Sequence, residues 1–284
     1  MSSSHPRDLL TTAVRAALLG GEAILTVYHL DDREITFKED SSPLTLADRR
    51  ADEAIRRELA ATGIPILTEE SSDIPYRERK EWQRFWLVDP LDGTKEFIRR
   101  NDEFTVNIAL IEAGEPVAGV VYLPVFRQLY FAVKGEGAYR LDNVDIHNTP
   151  SFSPGAPLPE GAVRLPDRQP AGRVRVVVSR SHLSPETEAF IRRTLGDTPY
   201  ETLPAGSSLK FCRVAEGVAD LYPRMGPTME WDIAAATLLV TESGGSVSHT
   251  DGTPLRFNKE DLHNPWFVVA NKKMTERIRK NRES

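Results

Sequence analysis

Phe85–Phe97 reads FWLVDPLDGTKEF, and the parsing of that stretch decides the fold. Phe85, Trp86, Leu87 and Val88 form a short, wholly apolar run, as expected of a strand buried on both faces. Asp89 ends the run. Pro90 withholds a backbone donor, so the ladder is not expected to continue through it in a central strand. Asp92-Gly93 is turn chemistry, and Thr94 stands where a following helix can start. Two carboxylates therefore stand at the mouth of a rigid strand, with the Leu91 carbonyl between them.

Alone, such a string is most often a tight surface turn. The buried strand before it shifts that reading, as do the acidic pair Glu69-Glu70 and the dipeptide Trp231-Asp232 elsewhere. Oxygen donors converging without Cys or His suit a hard cation such as Mg²⁺.

Upstream, Ile64–Thr68 is an apolar segment that delivers Glu69 and Glu70 at its end, where an open α/β site places a ligand. Thr45-Leu46-Ala47-Asp48 opens a helix over about Thr45–Ala61 with the pattern of a capping box. Asp48 has two readings there: a satisfied backbone donor, or a hold on a water of the metal site. Residues 7–28 carry Leu10, Val14, Leu18 and Ile24 at helical spacing and predict a long amphipathic helix. Asp8 and Glu22 favour packing on a core over a membrane-surface anchor. Ile35–Glu39 predicts a short strand, and Ser71–Arg84 a charged loop.

Downstream, Thr105–Ile111, Val117–Leu123 and Leu129–Val133 predict antiparallel strands joined by turns at Ala113–Pro116 and Pro124. Asp142–Gly172 is rich in Pro, Ser and Gly and reads as a long loop at a boundary. Beyond it come a strand at Val174–Ser179 and a helix capped by Ser184, with Gly196 past its end. A helix over about Leu209–Glu216 carries Lys210, and a strand covers Val218–Tyr222. The apolar helix Ile233–Glu242 is opened by Trp231-Asp232, and Trp266–Ala270 is a final strand. The expected organisation is an α+β half over residues 1–150 and an α/β half over 173–284, joined through 142–172. The first would hold Glu69, Asp89 and Asp92, and the second Asp232.

The chain has 284 residues and a formal net charge of −6, with no basic stripe, which argues against a nucleic-acid polymer as partner. An anionic substrate would be repelled by the acidic cluster unless divalent ions reverse the local sign. One cysteine, Cys212, excludes an internal disulfide and fits a reducing cytoplasm as a buried filler. The N-terminal MSSSHPRDLL lacks signal-peptide features, and no run is expected to span a membrane. The six histidines show no zinc spacing.

The candidate metal ligands are Glu69, Asp89, the Leu91 carbonyl, Asp92 and Asp232. Thr94, partnered by Glu69, can orient an attacking water, and the Gly93 and Thr94 N–H groups can bind phosphate oxygens. No Ser, Cys or His stands in a nucleophile arrangement, which favours direct attack by water.

These motifs resemble the inositol monophosphatase superfamily, through WLVDPLDGTKEF (Trp86–Phe97) and EWDIAAATLLVTESGG (Glu230–Gly245). Within it the chain is most similar to bacterial 3′(2′),5′-bisphosphate nucleotidases of the CysQ type. The carriers are Lys95-Glu96, RNDEFTVNIALIEAGEPVAGVVYLP (Arg100–Pro124), SRSH (Ser179–His182) and GSSLKFCRVAEG (Gly206–Gly217). The resemblance implies an αβαβα layered fold and hydrolysis of adenosine 3′,5′-bisphosphate to AMP and phosphate, linked to sulfate assimilation. It implies roughly two or three Mg²⁺ ions and inhibition by Li⁺. It places metal ligation on Glu69, Asp89, Leu91, Asp92 and Asp232, with Glu69, Thr94 and Asp48 acting in catalysis. Gly93 and Thr94 would bind phosphate, and Ser179, His182, Gly206 and Lys210 would contact nucleotide. An inositol or sugar phosphatase and a catalytically silent nucleotide sensor are the rival readings. A homodimer is compatible with the sequence, as is a peripheral place on the inner membrane face.

Overall fold

The computed structural model describes residues 5–29, 35–37, 43–153, 155–168, 172–179 and 184–283. The chain opens with α1 (Pro6–Tyr28), whose first turn is capped by His5 with Asp8 returning to the cap backbone. The pair β1 (Ile35–Phe37) and β2 (Pro43–Thr45) leads into α2 (Leu46–Ala60). Next come β3 (Ile66–Thr68), a 3₁₀ turn at Glu69–Ser71, the short α3 (Tyr76–Arg79), β4 (Arg84–Asp92) and α4 (Thr94–Arg99). A meander follows: β5 (Thr105–Glu112), β6 (Glu115–Leu123), β7 (Gln128–Val133) and β8 (Gly137–Leu141), edged by β9 (Val163–Arg164). The remainder is β10 (Val174–Ser179), α5 (Pro185–Leu195), β11 (Tyr200–Ala205), α6 (Leu209–Ala215), β12 (Leu221–Arg224), α7 (Glu230–Glu242), β13 (Ser246–His249), β14 (Phe267–Ala270) and α8 (Lys272–Glu283).

Two sheets organise these elements. One has seven strands in sequence order β3 to β9; the other has five, ordered β11-β10-β12-β14-β13. The first is antiparallel except for β3 beside β4, and the second is parallel only around β10. Helices α1 and α2 cover one face of the larger sheet, and α7 with α6 lies between the sheets. Helices α5 and α8 close the far face of the smaller sheet, around Phe190, Ile191 and Met274. The layers are therefore αβαβα, as the resemblance implied.

β4 shows why the larger sheet must be covered on both sides. Trp86 and Val88 enter the cluster under α1 and α2, whereas Phe85 and Leu87 enter the cluster around α6 and α7. That second cluster also takes in Val177, Tyr222 and Phe267 from the smaller sheet, so one apolar body joins the sheets through the central helices.

Several sequence expectations are corrected. β4 does not stop at Asp89 but runs through Pro90 to Asp92, with a register shift between Asp89 and Asp92. Asp89 faces Asn107 and Asp92 faces Thr105, so β4 carries one residue more than β5 there: a β-bulge, one of the places where a strand tolerates proline. On the other side of β4, β3 pairs only as far as Val88, so no ladder bond is asked of Pro90 from that direction. The charged loop after Glu70 contains α3, because Arg79 is buried and donates to Asn258 Oδ1 at 3.0 Å and to the Glu260 carbonyl at 2.8 Å. The 142–172 segment is not plain loop either. Ile146–Asn148 forms a 3₁₀ turn, Phe152 and Leu165 are buried, and β9 extends the sheet.

Helix α1, contrary to expectation, is long and apolar enough to cross a membrane by length and composition alone. Its Leu10, Val14, Leu18 and Ile24 are instead buried against the sheet and α2, and its exposed positions include Asp8, Arg15 and Glu22. The same burial removes the apolar face that a peripheral membrane anchor would need.

Candidate active site

Every acidic candidate sits where an element ends, begins or bulges. Glu69 follows β3 at the start of a 3₁₀ turn, and Asp89 and Asp92 flank the bulge of β4. Asp48 lies buried in the first turn of α2, and Asp232 is the third residue of α7. The helix starts three residues before the expected Ile233, so Asp232 also accepts the Met229 N–H at 2.9 Å through Oδ2. It is thus a capping side chain as well as a candidate ligand.

Electrostatics report the convergence. Burial, together with the charges of Glu69, Asp92, Asp232 and Asp48, pushes the Asp89 carboxyl well above its ordinary range. Burial and the Asp92 charge, with Glu69 adding to them, push Asp232 up to about 8. Acids from four separate parts of the chain therefore repel one another in one place. Among the described residues, no group of three or more His, Cys, Asp or Glu already stands at ligand spacing. The donor set nevertheless fits a divalent cation, for it is all oxygen and its members are crowded enough to disfavour their own charge.

The surrounding bonds orient these groups. Asp89 Oδ1 accepts the Leu91 N–H at 3.1 Å, and Thr94 Oγ1 donates to the Leu91 carbonyl at 3.4 Å. Asp92 Oδ2 accepts from Ser207 Oγ at 2.6 Å and Asn107 Nδ2 at 3.3 Å, with Thr105 Oγ1 3.4 Å away. Ser208 Oγ donates to the Asp232 carbonyl at 2.8 Å. Gly93 caps α4 with φ +94°, a backbone conformation that favours glycine, and a Cβ there would press on that of Ser207 at 3.2 Å.

On the second-half side, Ser179 ends β10 opposite Ala205, one residue before Gly206. The Gly206 N–H donates to Glu103 Oε2 at 2.8 Å. Lys210, half-buried in the first turn of α6, holds its ammonium 5.7 Å from the Tyr222 ring centroid. Burial lowers its pKa and the Arg224 charge lowers it further, while Asp92, Glu96 and Glu103 act in the opposite sense. His182 lies outside the described residues, as does the side chain of Thr45 in the expected capping box. A cavity of about 450 Å³ lies between the ends of α6 and α7 and the start of α8, lined by none of the candidate acids.

Sequence reasoning missed Thr105, Asn107, Ser208 and Arg224. The available signal for the first two was a polar residue at alternate positions in the otherwise apolar FTVNIALI.

Residues 5–284 match the inositol monophosphatase family. The chain belongs to that family. It is 42% identical over 267 residues to the 3′(2′),5′-bisphosphate nucleotidase CysQ of Salmonella typhimurium, covering 92% of this chain and 99% of the relative. Its fold is similar to the crystal structure of CysQ from Bacteroides thetaiotaomicron, with TM-score 0.80, 45% identity, and 92% and 96% of the two chains covered. It is also similar to the extragenic suppressor protein suhB of Bartonella henselae, at TM-score 0.71 and 26% identity over 97% and 99%. Phosphatases of the inositol monophosphatase family are generally metal-dependent, and Mg²⁺ is typical.

Proposed function

We propose that the chain is a Mg²⁺-dependent 3′(2′),5′-bisphosphate nucleotidase that hydrolyses adenosine 3′,5′-bisphosphate to AMP and phosphate. The observation that carries the reading is the 42% identity over 267 residues to a relative that bears the nucleotidase name, and the charges of Lys210 and Arg224 both act at the acidic site. A monophosphate offers one dianionic group, which the metal side can neutralise; a bisphosphate offers a second, which this pair can receive. The curated relatives at about this identity carry the nucleotidase name.

Glu69, Asp89, the Leu91 carbonyl, Asp92 and Asp232 would hold the ions. When bound, Mg²⁺ activates a water and neutralises the phosphoryl and leaving oxygens. Thr94, partnered by Glu69, would orient the attacking water, and Asp48 would accept a hydrogen bond from a water of the site. The Gly93 and Thr94 N–H groups take phosphate oxygens. Ser179, His182, Gly206 and Lys210 receive the nucleotide, with Arg224 beside them. The first half then supplies most of the metal ligands, and the second supplies Asp232 and the nucleotide contacts. Roughly two or three ions, inhibition by Li⁺ and a cytoplasmic place in sulfur metabolism belong to the same reading.

Phosphate release from adenosine 3′,5′-bisphosphate, inositol 1-phosphate and fructose 1,6-bisphosphate, assayed side by side with Mg²⁺ and with or without Li⁺, tests it. The nucleotide is expected to be turned over fastest. Preference for inositol 1-phosphate would overturn the substrate and the roles given to Lys210 and Arg224.

A further inference from the structure

Asn107 lies on β5 opposite Asp89, 1% exposed, on the same side of the strand as Thr105. Its flanking residues, Val106 and Ile108, point to the apolar cluster under α1 and α2. The position faces the central helices, where Ala109 and Ile111 continue the same side of β5 as apolar contacts. A buried amide among them requires partners, and it has several. Nδ2 stands 3.3 Å from Asp92 Oδ2, 3.0 Å from Ser208 Oγ and 3.3 Å from the Asp232 carbonyl. Oδ1 accepts from Thr105 Oγ1 at 3.0 Å, which fixes the orientation of the amide.

One side chain thus touches Asp92, carried by the larger sheet, and the first turn of α7, which presents Asp232. Ser208 reinforces the second link by its own bond to the Asp232 carbonyl. The two hydrogens of an uncharged amide can be shared among such acceptors without bringing a cation into the cluster. A lysine here would compete with a divalent ion, and an aspartate would add to the repulsion.

We propose that Asn107 is a positioning residue for the ion-holding carboxylates: its amide sets Asp92 against Asp232 across the junction of the larger sheet and α7. The proposal rests on the Mg²⁺-dependent reading above. It assigns Asn107 no contact with substrate and no proton transfer.

The test uses the full chain freed of metal, with Mg²⁺ titrated against thermal unfolding, and compares wild type, Asn107→Ala and Asn107→Ser. Supporting hydrogen bonds of this kind change metal affinity by about 10- to 100-fold, so Asn107→Ala should raise the Mg²⁺ midpoint at least about tenfold. Asn107→Ser, which keeps one donor, should fall between. The KM for adenosine 3′,5′-bisphosphate at saturating Mg²⁺ should stay within about twofold, since nucleotide contacts are untouched. A lower metal-free melting temperature with an unchanged Mg²⁺ midpoint would make Asn107 a fold residue only and overturn the proposal. If Asn107→Ala does not fold, an unchanged midpoint in Asn107→Ser overturns it instead. A wild-type chain with no Mg²⁺-dependent shift would remove the metal reading and the proposal with it.

Discussion

Arg140 of β8 donates to Glu216 at the end of α6 at 2.9 Å, and the Glu216 carboxylate is almost wholly buried. Tyr130 donates to the same oxygen at 2.8 Å and Arg213 to the other at 2.9 Å. Arg140 also meets Asp167 at 3.0 Å, so the larger sheet, the connecting segment and α6 share one charge cluster. Breaking a buried pair from one side strands the partner. Glu216→Ala should therefore cost about 3–5 kcal/mol in urea unfolding. Its Mg²⁺ midpoint, measured where the variant is folded, should not move.

Asp92→Asn keeps the shape of the side chain and an oxygen for Ser207, whose hydroxyl stands 2.6 Å from Oδ2. It removes the charge that the ions require. Turnover of adenosine 3′,5′-bisphosphate should fall by at least about 100-fold while thermal unfolding of the metal-free chain stays near wild type. Equal turnover would leave the phosphatase reading without support. A nucleotide that binds the wild-type chain without being hydrolysed would point to the sensor.

Lys210→Ala should act on the nucleotide alone. A charge-assisted hydrogen bond worth about 1.5–3 kcal/mol corresponds to a KM rise of roughly 10- to 100-fold. The Mg²⁺ dependence of turnover should be unchanged. A shift in the Mg²⁺ midpoint with no change in KM would move Lys210 to the metal side of the site.

The metal-free chain should lose stability with rising pH. Asp232 titrates at about 8 in the fold, against an ordinary 3.8, chiefly because of burial and the Asp92 charge. Its proton is thus held more tightly folded than unfolded. The associated stability is complete below the unfolded value and is lost as pH rises through the folded one. Calorimetry in chelator should show a melting temperature falling from about pH 5 to about pH 8, and Mg²⁺ should flatten that slope. A melting temperature that rises over this interval in chelator would contradict the crowding of acids described above.

Gly119 of β6 packs directly against the backbone of α7. A Cβ there would lie 2.7 Å from the Ala235 carbonyl oxygen, a backbone atom that cannot swing aside. Gly119→Ala should destabilise the chain by about 1–3 kcal/mol in urea unfolding, with substrate preference unchanged.

The layered fold was legible where apolar period and punctuation agreed: α1, α2, β5 to β7, α5 and α7. It was illegible where burial is thin. β11 is an exposed edge with Pro204 inside it, and α8 offers only Met274 and Ile278 to its core. β12 begins at Leu221, not Val218, because Asp220 turns to the Arg175 N–H before the strand pairs. β8 and β13 are short, and their mixed residues carry no clean alternation. At the site the acids announced themselves through motif and position. Thr105, Asn107 and Ser208 did not, because a polar residue inside an apolar strand or before a helix shows its purpose only once its partners from other segments are known. Arg224 was hidden by the misplaced end of its strand.

The bulge in β4 has a consequence for which changes this segment can bear. Neighbouring side chains of a regular strand share a side only at even separations, and Asp89 and Asp92 are three positions apart. The surplus residue corrects that parity, bringing both acids to the side of Asn107 and Thr105. Losing a single residue between them would restore a regular strand with both acids still on that side, but it would close the bulge in which Leu91, whose carbonyl is a candidate ligand, pairs with no residue of β5. The length of this stretch is therefore as much a part of its chemistry as the letters in it, and shortening should be tolerated far less than substitution.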